Sequence, residues 1–360
     1  MSNTLFEPVT LSSMQLKNRV VMAPMTRCRA TTDHIPTDIM AEYYQQRANA
    51  GLIITEGTSP SPNGLGYARI PGLFSKDHVS AWHKVTEAVH EQGCHIFVQL
   101  MHTGRVSHTL NMPANSRVLA PSAIKLDETM WTDEEGALPN SQPEEMSQSD
   151  IEQAIQEYSD SAALAIEAGF DGVELHGANG YLIDQFLNTA SNQRTDQWGG
   201  PIENRARFAI EVAKATSERI GAKRTGIRLS PYGAFNSMLP DEEMESLYIY
   251  LAKEFSKLSL AYIHIVDHSA MGAPEVPESI KSAIRKNFNG AIILSGGYDR
   301  GRANADLDAN KGDLVAFGRP YLSNPDLVRR LKEGAPMAEA DMDTFYSPGE
   351  QGYTDYSPMN

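Results

Sequence analysis

The segment VELHGANGYL places His176, Asn179 and Tyr181 just past the end of a short β-branched run. Three residues apart across a turn, His176 and Asn179 can aim an imidazole N–H and an amide N–H at one acceptor atom. Two neutral donors around one oxygen polarise a carbonyl or nitro group without protonating it. A phenol with the ordinary pKa of about 10 stays protonated at pH 7 and can deliver a proton, which suits Tyr181 to the work of an acid. The same residues equally describe a turn held by Asn179 with Tyr181 as packing.

A second group of residues suits an anion. Ser295, Gly296 and Gly297 form one small-residue turn, and Gly318 with Arg319 forms another. Glycine turns let backbone N–H groups approach a phosphate closely, and a guanidinium binds it in bidentate fashion. One such turn is no more than a tight connection, but two turns and an arginine favour phosphate. A metal is not expected. His102, His176, His264 and His268 recur near strand ends, yet no strand offers a His-x-His pair, and the same-face partner of His264 is Val266. There is no GxGxxG after the first strand and no GxxxxGK[ST], so neither dinucleotide nor P-loop nucleotide folds are supported.

The elements that must position these residues alternate along the whole chain. Eight strand-like runs read RVVMAP (19–24), LIITEG (52–57), HIFVQLMH (95–102), GVELHG (172–177), TGIRLS (225–230), YIHIVD (262–267), AIILSGG (291–297) and LVAFGR (314–319). Each precedes a helical pattern, at 38–50, 76–91, 150–168, 203–220, 241–257, 275–286, 299–309 and 324–333. Eight βα units with no change of composition predict an α/β fold, a single (β/α)8 TIM barrel over 1–360. The long stretch 103–148 between strand 3 and helix 3 exceeds an ordinary connection and predicts an excursion over the catalytic face. In such a barrel the strand ends converge on one rim. That rim would gather Pro24, Met25, Thr26, Gly57, Gln99, Met101, His176, Arg228, His264, Ser295, Gly318 and Arg319.

Composition narrows the partners. The chain has 360 residues, 41% hydrophobic and 21% charged, with 31 Lys and Arg against 46 Asp and Glu, a net charge of −15. That balance repels polyphosphate, so neither nucleic acid nor an anionic membrane is an expected partner. Cys28 and Cys94 are too few for a disulfide framework or an iron–sulfur cluster. No apolar run reaches the length of a membrane span, and no leader pattern opens the chain, so a cytoplasmic protein is expected.

Longer strings carry a resemblance. NRVVMAPMTR, MAEYYQQRANAGLIITEGT, VQLMHTGR, VELHGANGYLIDQFLNTASNQRTDQWGGPIENRAR, IRLSP, AFGRPYLSNPDL and the C-terminal GYTDY resemble the Old Yellow Enzyme family of FMN-dependent ene-reductases. The likeness is to its bacterial N-ethylmaleimide, morphinone and nitrate-ester reductase branch, from about Leu5 to the C-terminus. The resemblance implies non-covalent FMN across the barrel mouth, held by Pro24, Met25, Thr26, Gly57, Gln99 and Arg228. Its phosphate would lie on Ser295, Gly296, Gly297, Gly318 and Arg319. Arg228 would favour the anionic reduced flavin. The resemblance further implies NADPH or NADH as hydride donor and an electrophilic alkene conjugated to a carbonyl or nitro group as substrate. The substrate oxygen would be gripped by His176 and Asn179, the proton given by Tyr181, and the pocket lined by Tyr67 and Tyr346. A monomer or small homo-oligomer is implied. Two positions depart from the family: Asn179 stands where close bacterial relatives often carry a second histidine, and Met101 stands where many carry tryptophan. A flexible thioether there implies a wider or more adaptable pocket.

Overall fold

The computed structural model describes residues 2–359. Eight parallel strands close into a barrel: β1 (Val20–Met22), β2 (Leu52–Thr58), β3 (His95–Leu100), β4 (Gly172–Gly177), β5 (Thr225–Leu229), β6 (Tyr262–Ile265), β7 (Ala291–Ser295) and β8 (Leu314–Phe317), with β8 pairing back onto β1. The main helices between them run Asp38–Gln46, Lys76–His90, Gln148–Glu167, Ile202–Ile220, Met244–Lys257, Glu278–Asn287 and Arg300–Asp308, and Leu327–Glu333 follows β8. The (β/α)8 expectation holds, and no described helix is long and apolar enough to cross a membrane.

Period-2 alternation divides each strand between two packings. Outward residues such as Ile53, Val98, Leu175, Ile227, Ile263 and Val315 join one core with Trp82, Tyr158 and Phe208 of the helices. Inward residues form layers. Val21, Leu52, Ile54, Phe97, Tyr262, Ile293 and Leu314 fill the lower interior, which the hairpin of Val9–Leu11 and Met14–Leu16 closes with Leu11 and Leu16. Two glycines make room for the large rings: a Cβ on Gly172 would lie 2.4 Å from the Phe97 ring, and one on Gly226 would lie 2.3 Å from that of Tyr262. Above this apolar plug the inward positions turn polar.

Several boundaries differ from those expected, for local reasons. The helix expected from 275 begins at Glu278, because Pro277 keeps Val276 out of helical geometry. Pro325 does the same to Asn324, so the last helix starts at Leu327 instead of 324. The helix expected from 150 starts at Gln148, where the Ser147 and Asp150 side chains form a capping box. Within 103–148 the chain forms a hairpin, Thr129–Thr132 with Gly136–Pro139, and a two-residue pairing of Leu119–Ala120 with Glu144–Glu145.

Three buried arginines attach the C-terminal segment to the rim. Arg27 donates to the Gly352 carbonyl at 2.7 Å, Arg29 to that of Thr344 at 2.8 Å, and Arg47 to that of Tyr353 at 3.2 Å. Tyr43 stacks on Tyr353 at 4.0 Å. Beneath them lies Glu56, fully buried, accepting from the Arg27 backbone N–H and the Tyr44 hydroxyl. Burial outweighs these donors and pushes its carboxyl up to about 7. A carboxyl raised in the folded state binds its proton more tightly than in the unfolded chain. Its contribution is therefore fully present below the ordinary carboxylate range and is lost as pH rises through about 7. Glu56→Gln removes this titration. In urea unfolding at about pH 5 and about pH 8, the wild type should lose on the order of 3 kcal/mol more than the variant. Equal pH dependence of the two proteins would contradict the assignment.

Candidate active site

The register of four neighbouring strands builds the floor of the site. His176 on β4, Arg228 on β5 and His264 on β6 are paired in one row, and Glu174 on β4 pairs with Gln99 on β3. Glu174 is fully buried and accepts two hydrogen bonds, from Gln99 Nε2 at 2.8 Å and His264 Nδ1 at 2.9 Å. The first contact turns the Gln99 amide so that its Oε1 is left for the cavity. The second explains His264, to which the sequence assigns nothing: it is a buried partner of Glu174, with its pKa lowered by burial.

Arg228 is different. It is 7% exposed, its Nε has no hydrogen-bond partner, and no carboxylate among the described residues forms an ion pair with it. A buried guanidinium without an anion is costly unless a ligand completes it. Its charge acts on its neighbours: burial first and Arg228 second hold His176 well below the ordinary imidazole pKa, and the same two causes bring His268 down to about 4. Both imidazoles are neutral at pH 7.

Behind β4 the chain makes the turn that carries Asn179 and Tyr181. Asn179 and Gly180 have φ values of 60° and 75°, a left-handed pair that asparagine and glycine adopt readily. A Cβ on Gly180 would lie 2.8 Å from the Phe235 carbonyl oxygen. Two residues that sequence reasoning missed hold this turn: Ser230 Oγ accepts from Asn179 N–H at 2.9 Å, and Asp184 accepts from Gly180 N–H at 2.8 Å. Burial pushes Asp184 up to about 7.

Tyr181 faces the His176 ring edge-on, with centroids 5.0 Å apart, and its hydroxyl lies 2.9 Å from that of Tyr67. Burial raises its pKa to about 12, above the unperturbed value expected, while the Tyr67 hydrogen bond works in the opposite direction. The phenol stays protonated, and either hydroxyl of the pair can donate to the other.

These side chains line a cavity of about 340 Å³, together with Pro24, Thr26, Gly57, Gln99, Asn179 and Tyr346. Met101 does not stand free in it. A Cβ on Gly57 would lie 2.5 Å from Met101 Sδ, so the thioether is packed down on the glycine. Thr129, Met130 and Trp131 of the hairpin close the far side. Arg69, also unforeseen, ties three walls by donating to the Cys28 and Tyr346 carbonyls and pairing with Asp133.

An adjoining cavity of about 490 Å³ shares Pro24, Thr26, Asn179, Tyr181 and Arg228, and extends to Met25, Ser295, Gly296, Gly297, Gly318 and Arg319. Gly296 and Gly297 have φ values of 126° and 61°. A Cβ on Gly318 would approach nothing nearer than Met25 Sδ at 3.6 Å, so protein packing does not demand glycine there. Arg319 is exposed and has no ion pair among the described residues. A long group with an anion at one end and a polar ring at the other fits the two joined cavities, with Arg319 and the glycine turns for the first and Arg228 and Gln99 for the second. Among the described residues no group of three or more His, Cys, Asp or Glu could hold a metal.

The family model described as NADH:flavin oxidoreductase / NADH oxidase matches residues 4–338. A probable flavin mononucleotide-dependent alkene reductase of Leishmania infantum is 38% identical, covering 99% of this chain and 98% of its own. Among solved structures, morphinone reductase is 44% identical with a TM-score of 0.95, covering 99% of this chain and 97% of its own. The Old Yellow Enzyme homologue of Zymomonas mobilis is 40% identical with a TM-score of 0.93, covering 99% of this chain and 100% of its own. This chain belongs to the NADH:flavin oxidoreductase / NADH oxidase family, as an FMN-dependent oxidoreductase of the Old Yellow Enzyme type.

Proposed function

We propose that the protein reduces the C=C bond of alkenes conjugated to a carbonyl or nitro group, drawing electrons from NADPH or NADH. Bound FMN supplies the chemistry of two-electron transfer between the nicotinamide and the alkene. Arg228 and Gln99 hold its ring, with Pro24, Met25, Thr26 and Gly57 around it. Ser295, Gly296, Gly297, Gly318 and Arg319 hold its phosphate.

The remaining steps belong to side chains. His176 and Asn179 donate to the substrate oxygen, drawing electron density from the alkene and stabilising the charge that develops on that oxygen. Because the imidazole is neutral, it polarises without transferring its proton. Tyr181 gives a proton to Cα, and Tyr67, donating to the Tyr181 oxygen, offsets the charge left on the phenolate. Solvent restores that proton. Tyr346 and the hairpin residues Thr129, Met130 and Trp131 form part of the wall around the substrate. The observation that carries this reading is one cavity in which a protonated phenol and a neutral imidazole face each other above an unpaired cation.

We further infer that 1–360 acts as one FMN-binding unit with 103–148 over its catalytic face. It would work in the cytoplasm as a monomer or small homo-oligomer, its acidic balance keeping it from nucleic acid and anionic membranes.

Tyr181→Phe separates the proton step from the rest. It keeps the ring and removes the hydroxyl. NADPH should still bleach the yellow enzyme near the wild-type rate, and a quinone, which needs no carbon protonation, should still restore the colour. Reduction of 2-cyclohexenone should fall by roughly 10²–10⁴. Stopped-flow traces of the two half-reactions decide: equal slowing of both would make Tyr181 a structural residue.

A further inference from the structure

Asn179 is held from three sides, and the third hold has a chemical consequence. Its backbone N–H donates to Ser230 Oγ at 2.9 Å and its carbonyl accepts from Asn236 Nδ2 at 2.7 Å, so the position of the residue is fixed. The remaining freedom is rotation of the side-chain amide, which would exchange a carbonyl oxygen for an NH₂ group at the cavity. That choice is made by His268, whose Nε2 lies 2.9 Å from Asn179 Oδ1.

We propose that His268 is a positioning residue that makes the substrate-oxygen site donor-only, by holding Asn179 Oδ1 so that its NH₂ faces the cavity. This rests on the reading of Asn179 as a substrate ligand. An amide oxygen only accepts, so Nε2 of His268 must carry the hydrogen in this contact. The imidazole is itself fixed by the edge of Phe235, with ring centroids 4.6 Å apart. The charged and titratable groups facing it are Arg228, Asp267, Arg319 and His264. Asp267 favours a charged ring and the other three oppose it, and with burial they keep it neutral at pH 7. Protonation at low pH would still leave Nε2 a donor.

With its oxygen committed, Asn179 adds its N–H donors to the single N–H of the neutral His176 and itself presents no acceptor. Carbonyl, nitro and phenolate oxygens are then accepted. A hydroxyl that must donate finds no partner here, and such an unpaired group is rejected. Replacing the imidazole by a group that cannot reach Oδ1 would let the amide turn over and place its oxygen against the substrate oxygen.

The FMN-loaded enzyme tests this with two polar variants. The side-chain amide of His268→Gln reaches the place of Nε2, whereas that of His268→Asn falls short of it. Binding of a phenol, followed by its long-wavelength charge-transfer band, and the KM for 2-cyclohexenone are the readouts. His268→Asn should weaken both about tenfold, and His268→Gln should stay within about twofold of wild type. On an Asn179→Ala background, His268→Asn should cost nothing further. Equal behaviour of the Gln and Asn variants, or a loss that persists without Asn179, would overturn the proposal. If wild-type enzyme binds no phenol and leaves 2-cyclohexenone unreduced, the reading of the site as a reductase pocket fails instead.

Discussion

An unpaired guanidinium at the centre of the barrel mouth governs this molecule. Arg228 sits in a row between His176 and His264, almost fully buried, with no carboxylate paired to it. The nearest acid in the interior, Glu174, is occupied by Gln99 and His264. Glu174 still favours the guanidinium's charge through space, but no acceptor of its own fills the cavity side of Arg228. Added to burial, which is the larger cause, that charge keeps the neighbouring His176 and His268 neutral, and this makes His176 a polarising donor instead of an acid. It also leaves a place for negative charge where an FMN ring would lie.

The rest of the fold reads as support for that arrangement. The apolar plug of Phe97, Tyr262 and their neighbours keeps water from the underside of the polar row. The left-handed Asn179 and Gly180 turn, pinned by Ser230 and Asp184, sets the angle at which Asn179 and Tyr181 meet the cavity. Arg27, Arg29 and Arg47 fasten the C-terminal segment, and Arg69 joins its Tyr346 to the hairpin at Asp133. Arginines with several fixed donors suit this task, since each binds two or more carbonyls without needing a buried counter-ion.

Much of this was legible in the chain. Runs such as LIITEG and AIILSGG mark buried strands, and their count decides the barrel. The candidates for flavin and substrate line the two joined cavities, most of them because strand ends in a closed barrel share one rim, whereas His264 of that rim lies beneath them against Glu174. What escaped is of two kinds. Short pieces such as Leu182–Leu187 and Arg319–Ser323 show too few periods to register as helices. Supporting contacts escaped for a different reason: Asp184 with Ser230, Glu174 with His264, and His268 with Asn179 join residues 46, 90 and 89 positions apart, and no local pattern encodes such meetings.

The midpoint potential of the bound flavin as a function of pH tests the role of Arg228 most directly. If the unpaired cation stabilises negative charge on the reduced cofactor, two-electron reduction takes up one proton, and the wild-type potential falls by about 30 mV per pH unit between pH 6 and 8. Arg228→Met should then lower the potential and steepen that slope. A wild-type slope of about 59 mV per pH unit, signifying two protons per two electrons, or an Arg228→Met enzyme with unchanged potential and slope, would contradict it.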